Sequence, residues 1–296
     1  MLVTGKDGQL GSLLLRQLSN SCRVIAVGRR ELDIADRRAV ADLIGAAAPD
    51  VIVNAAAYTD VDGAERDSRE AFAVNRDGVA GLAHAARACE ASLLHISTDF
   101  VFNGRGGAPY DETSPTDPIN AYGASKLAGE RALAASGAKH LIVRTSWLFS
   151  ECPGNFVTRV FALLHERDAL SMVEDQIGTP TEAGFLAEVV GRLLAAPDVF
   201  GTETRLLHVA NGGQASRFEV AAEILTRILA AGATPRVRHI RPIATVDYPL
   251  PAARPSDSRL ATKRLRDIYA IEPPDWRTAL DGVLARVLPS VERTPA

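Results

Sequence analysis

The sequence predicts an α/β fold, a doubly wound parallel sheet with a smaller C-terminal region, and three observations predict it. Short β-branched runs alternate with longer Ala/Leu-rich stretches through the first half, as when parallel strands are joined by crossover helices. A glycine-spaced turn, Gly5-Lys6-Asp7-Gly8-Gln9-Leu10-Gly11, joins the first apolar run to the first helix-like stretch. Past Trp147 the rhythm changes, with Gly/Pro punctuation at Pro153-Gly154, Gly178-Thr179-Pro180, Gly212-Gly213 and Pro249 to Pro255.

In chain order, the short run before Thr4 is the first strand, and Leu10, Leu14 and Leu18 recur at the spacing of one helix face. Strands are expected at Arg23 to Val27, Val51 to Val53, Leu93 to Ile96 and Leu141 to Arg144, with helices over Val40 to Ile44 and Ala80 to Ala88 between them. Beyond Trp147, helices are expected at Asn155 to Glu166, Thr181 to Leu194, Phe218 to Ala230 and Arg259 to Ile268, the last capped by Ser258. Arg205 to Val209 reads as a strand returning to the sheet. The expected division is therefore a dinucleotide-binding unit over 1–150, rejoined by elements near 181–210, and a substrate-binding region over 151–180 and 211–296.

Composition excludes several classes. The 296 residues, 47% hydrophobic and 23% charged, suffice for a large packed core. With 33 basic and 36 acidic residues the net charge is -3, and no basic face marks a nucleic acid as partner. No apolar run approaches the ~20 residues of a membrane span. The start, Met-Leu-Val-Thr-Gly, lacks a signal core, so a cytoplasmic location is expected. Cys22, Cys89 and Cys152 are far apart, and no Cys/His cluster has metal-ligand spacing, so no metal site is expected.

The glycine turn points to a ligand. A strand-turn-helix with glycines at 5, 8 and 11 lets backbone approach a pyrophosphate, and the helix start offers free N–H groups. Gly5, Gly8, Gln9, Leu10 and Gly11 are thus candidate cofactor contacts in a Rossmann-type sheet. After the second strand come Arg29 and Arg30 in place of an acid that would bond a ribose 2′-hydroxyl. Two guanidiniums suit a 2′-phosphate and favour NADPH, with NADH still possible; the alternative is a pair of solvated surface arginines.

Tyr122 and Lys126 lie four apart in a helix-like stretch, which puts a phenol and an ammonium on one face. A neighbouring cation is expected to lower the phenol toward a useful acid/base range. Ser97-Thr98-Asp99 ends the fourth strand at the sheet's carboxyl edge, which makes Thr98 a candidate donor to a carbonyl.

Together with these motifs, Asp50-Val-Ile-Val-Asn-Ala-Ala-Ala57, Ser97-Thr-Asp-Phe-Val-Phe102, Arg144-Thr-Ser-Trp147, Asp175-Gln-Ile-Gly-Thr-Pro-Thr181 and Arg254-Pro-Ser-Asp-Ser-Arg-Leu260 carry a resemblance over nearly the full chain. The sequence resembles the extended short-chain dehydrogenase/reductase superfamily and, within it, the dTDP-4-dehydrorhamnose reductases. The resemblance implies a catalytic triad of Thr98, Tyr122 and Lys126, and a cofactor cleft lined by Asn54, Ala55, Ala56 and Ala57. It implies sugar contacts from Asp99, Phe100 and Trp147, and nucleotide contacts from Asn155 and Arg254; Trp147 reads equally well as core. The implied reaction is NADPH-dependent reduction of the C4 keto group of dTDP-4-dehydro-L-rhamnose to dTDP-L-rhamnose.

Related dehydratases carry Asp-Glu after the threonine, whereas Asp99 is followed here by Phe100, which transfers no proton. The open alternatives are a 4-ketoreductase for another nucleotide-activated deoxysugar and a non-catalytic regulatory subunit like methionine adenosyltransferase beta. Some members of the family dimerise through magnesium held by glutamates at positions that match Leu13 and Gly184, neither of which ligates a hard cation. A monomer or a metal-independent dimer is therefore expected, with Glu182 and Glu188 as solvated surface acids.

Overall fold

A computed structural model of the chain describes residues 1–201 and 205–291; positions 202–204 and 292–296, which fall within the expected 181–210 and 211–296 segments, lie outside the described residues. Its centre is a six-stranded parallel sheet. The first five strands are β1 (Leu2–Thr4), β2 (Ile25–Val27), β3 (Val51–Asn54), β4 (Ser92–Thr98) and β5 (His140–Thr145). Across the sheet the order is β2, β1, β3, β4, β5 and then Leu206–His208, which pairs with β5 in parallel. The order reverses between β1 and β3, the kind of point where ligands bind in such sheets.

The period of two sorts the side chains. Leu2, Ile52, Leu93 and Ile142 point to one face, against α2 (Arg37–Ala47) and α5 (Val79–Ala88). Val3, Val53, Leu94, Leu141 and Val143 point to the other, against α1 (Gln9–Leu18) and α8 (Ala183–Ala195). Each such buried aliphatic contributes about 1.5–3 kcal/mol of transfer free energy. The remaining helices of this half are α3 (Val61–Arg66), α4 (Ser68–Phe72) and α6 (Ala121–Ala135). A π-helical turn over Ala73–Gly78 brings Asn75 under α6, so close that a Cβ at Gly129 would lie 2.0 Å from the Asn75 carbonyl oxygen.

The C-terminal region has its own core. Helices α7 (Phe156–Glu166), α9 (Arg217–Ala230) and α11 (Trp276–Val291) enclose Val160, Leu164, Ile224, Trp276 and Leu280.

Two expectations are corrected. The helix expected from Arg259 starts only at Lys263 (α10, Lys263–Tyr269), with Thr262 at its cap position, and Ser258 caps nothing. The backbone before it is already committed: Ser258 N donates to Ile177 O, Tyr110 N to Arg259 O and Ala261 N to Tyr110 O, an extended pairing that helical φ/ψ cannot supply. Glu182 is not a solvated acid. It caps α8 by accepting from Phe185 N and pairs with Arg286 at 3.0 Å, while Glu188 is exposed as expected.

Candidate active site

The turn after β1 is built by close approach. Gly5 holds φ +75°, and a Cβ there would lie 2.7 Å from Ala56 N, so a side chain would strike the end of β3. A Cβ at Gly11 would meet Gly5 O at 2.0 Å, so Gly11 serves helix–turn packing and does not line the cleft. Gly8 occupies the cap position of α1 with no side chain to bond the first-turn N–H groups, which are left for a ligand.

A cleft of about 730 Å³ runs from this turn along the carboxyl edge of the sheet. Gly5, Gly8, Gln9 and Leu10 line one part, Ala55, Ala56 and Ala57 its floor, and Thr98, Asp99, Tyr122, Lys126, Trp147 and Asn155 the rest. Arg29 lines the rim and pairs with Glu70 at 3.0 Å. Arg30 is exposed away from the lining. Asn54, Phe100 and Arg254 stand behind the wall. Phe100 packs edge-on against Tyr122 at 5.9 Å, and Arg254 is neutralised by Asp62 at 2.7 Å. The Asn155 side chain is spent locally: it accepts from Val157 N and Thr158 N and donates to Ser150 O and Cys152 O.

Asn120 caps α6, which carries Tyr122 and Lys126 into the cleft one turn apart. The expected lowering of the phenol by its lysine is not what the structure holds. Burial pushes Tyr122 up to about 12; a hydrogen bond with Thr98 opposes this and the charge of Asp99 adds to it. Lys126 instead donates to Ile96 O at 2.7 Å and is itself pulled down to about 8 by burial, against Glu130.

Behind Lys126 lies a polar chain that sequence spacing did not reveal. Ala56 N donates to Asn54 Oδ1, which makes Asn54 Nδ2 the donor to His95 Nδ1 at 3.0 Å. A neutral His95 therefore carries its proton on Nε2, 3.5 Å from Lys126 Nζ. His95 is fully buried, and that burial holds its pKa far below the usual imidazole range.

At the other end, Asp99 is buried and its pKa is raised by that burial. It accepts from Thr98 Oγ1 and Ser146 Oγ, both at 3.0 Å, and Ser258 faces the same carboxyl. Trp147 takes φ +44° and packs where a Cβ at Gly178 would lie 2.5 Å from its ring, which accounts for the glycine in Gly178-Thr179-Pro180. One face of its ring is covered by Arg217, whose guanidinium carbon lies 3.5 Å from the ring centre. Arg217 carries no motif, and Ser258, inside the stretch Arg254 to Leu260, reaches this carboxyl only through the C-terminal chain path.

A buried phenol, a buried carboxyl and a glycine turn that opens a helix thus share one sheet edge. The family model described as RmlD substrate binding domain matches residues 1–288. The dTDP-4-dehydrorhamnose reductase of Burkholderia thailandensis is 41% identical over 97% of this chain and 98% of its own, and that of Escherichia coli strain K12 is 37% identical over 96% of each. A crystal structure of dTDP-4-dehydrorhamnose reductase from Bacillus anthracis in complex with NADP superposes with a TM-score of 0.88, at 34% identity over 96% of this chain and 98% of that one. On this match, which runs through both halves of the molecule, the chain belongs to the RmlD substrate-binding-domain family, that of the dTDP-4-dehydrorhamnose reductases.

Proposed function

We propose that the chain reduces the C4 keto group of dTDP-4-dehydro-L-rhamnose to dTDP-L-rhamnose with NADPH. The observation that carries this reading is Thr98, Tyr122 and Lys126 lining one cleft at the carboxyl edge of the sheet, beside a turn that a side chain at Gly5 would block. NADPH, when bound, supplies two electrons and one hydrogen to the keto carbon.

The chain's own residues do the rest. Tyr122, kept protonated by burial, gives its proton to the keto oxygen. Thr98 orients the phenol by accepting from it, its own hydroxyl hydrogen being given to Asp99 Oδ1. Lys126, anchored on Ile96 O, turns its remaining donors toward the ribose hydroxyls. The glycine turn and the start of α1 hold the pyrophosphate, and Arg29 at the rim meets the 2′-phosphate. Phe100 beside the phenol offers no second proton, which favours reduction over dehydration.

The 1–150 unit with its returning elements serves the cofactor, and the 151–180 and 211–296 region closes over the sugar. No described helix is long and apolar enough to cross a membrane; a cytoplasmic monomer or metal-independent dimer completes the reading. Purified protein should oxidise NADPH only when the dTDP-4-keto sugar is present and yield the 6-deoxy-L-sugar. Turnover confined to a different keto sugar would reassign the substrate, and none with any keto sugar would leave a regulatory subunit.

A further inference from the structure

One charge, stacked on a residue of the cleft wall, has no part in the reaction above. Arg217 opens α9, where Ser216 and Glu219 form a reciprocal capping box that fixes the helix start. Its guanidinium carbon sits 3.5 Å from the centre of the Trp147 ring and 4.9 Å from that of Phe156. Stacking of this kind occupies the flat face of the guanidinium and leaves its edge donors free. Among the described residues none of them is given to a protein acceptor, and its nitrogens are not sealed from solvent.

Arg254, the arginine expected at the nucleotide, is in the opposite condition. It gives Nη1 and Nη2 to Asp62, at 3.0 and 2.7 Å, and Nη1 also to Ala252 O. A half-buried cation without a hydrogen-bonded anion is costly, and an incoming anion relieves that cost. Burial draws Arg217 down to about 10, with Asp99 opposing and Arg254 adding to the fall, so both ends of the site act on it.

We propose that Arg217 is a substrate-binding residue: from its seat on Trp147 it meets the diphosphate of a nucleoside diphosphate sugar. The ligand class rests on the reductase reading above. Trp147 and Asp99 both line the cleft, so a cation stacked on the indole stands beside the sugar end, where the phosphate nearest the sugar must pass. A planar fork whose face is held and whose edge is free is already arranged for two phosphate oxygens, which lysine cannot reproduce.

The experiment is calorimetric titration of the full chain with dTDP, thymidine and NADPH in the wild type, R217M, R217Q and R217K. Loss of the guanidinium in R217M or R217Q should weaken dTDP about tenfold to a hundredfold and leave thymidine and NADPH unchanged. R217K should recover part of the loss. With the keto sugar, KM should rise in step while kcat holds.

Unchanged dTDP affinity in either folded neutral variant overturns the proposal. So does an equal loss for thymidine and dTDP, which would mark Arg217 as packing for Trp147. Failure of the wild type to turn over the keto sugar while dTDP binding still depends on Arg217 would sink the reductase reading alone.

Discussion

Arg144 on β5 makes a two-point pair with Glu130 on α6, Nε to Oε1 at 2.9 Å and Nη2 to Oε2 at 2.6 Å, and both side chains are more than nine-tenths buried. Ser97 at the end of β4 donates to the same Oε1 at 2.5 Å. Two sheet strands are thereby tied to the helix that carries Tyr122 and Lys126. Breaking a buried pair leaves an uncompensated charge, so R144M should cost about 3–5 kcal/mol of stability. The double variant R144M/E130L should recover much of that, because it removes both charges. Urea midpoints check this, and a double variant as unstable as the single would show that geometry, not charge, is what is lost.

Replacing Tyr122 with Phe removes one oxygen and keeps the ring against Phe100. Turnover should fall about 10²–10⁴-fold, while NADPH affinity, for which the glycine turn and Lys126 are the proposed holders, should stay near that of the wild type. Stopped-flow NADPH oxidation paired with a fluorescence titration separates the two. A fall in affinity as large as the fall in rate would show that the phenol holds the cofactor.

The sheet was legible because its signals are local. Period-two alternation, Leu10, Leu14 and Leu18 at helix spacing, and glycines at 5, 8 and 11 each need only their neighbours. The returning strand Leu206–His208 was legible for the same reason. Ser258 was misread because a serine before Arg259 to Leu265 looks locally like a cap, while the pairing that unwinds it comes from Ile177 and Tyr110, far off in the chain. The phenol's acidity was misread because spacing places Lys126 on the same face without saying where its amine goes, and Ile96 O takes it. His95 and Arg217 carry no motif; only the folded chain sets one behind Lys126 and the other on Trp147.

Lys126 gives a pH signature whose sign follows from its displacement. Its pKa falls from the ordinary 10.5 of a lysine to about 8 in the folded protein, so across that window the unfolded chain holds a proton that the folded one has released, and stability rises with pH. Tyr122 acts the other way at higher pH: raised from 10.0 to about 12, it costs stability as pH climbs through that interval. K126M removes the buried charge, so its stability advantage over the wild type should be largest near pH 7 and shrink toward pH 10. A gap that does not change with pH would mean that Lys126 is not titrating in this range.

The two arginines after β2 should part company. Arg29 lines the rim and is held there by Glu70, whereas Arg30 is exposed away from the lining. R29A should raise the KM for NADPH about tenfold and leave that for NADH nearly alone, and R30A should change neither. E70Q, which frees Arg29 from its partner, should tighten NADPH. Steady-state kinetics with both cofactors decide it, and equal effects of R29A on NADPH and NADH would show that Arg29 does not read the 2′-phosphate.

Activity and assembly should not depend on magnesium. Leu13, where some relatives place a metal-binding glutamate, is 8% exposed and packs into the core between α1 and α8. At Gly184, the other such position, the nearest carboxyl is that of Glu182, whose oxygens accept from Phe185 N and Arg286 and so face inward to this chain. A hard cation needs several oxygens free to converge on it, and an apolar side chain beside a carboxylate already committed to a helix cap does not supply them. Gel filtration and NADPH oxidation with and without EDTA should give the same mass and the same rate. A chelator-induced drop in either would show that acids elsewhere on the surface, Glu188 among them, hold a metal between subunits.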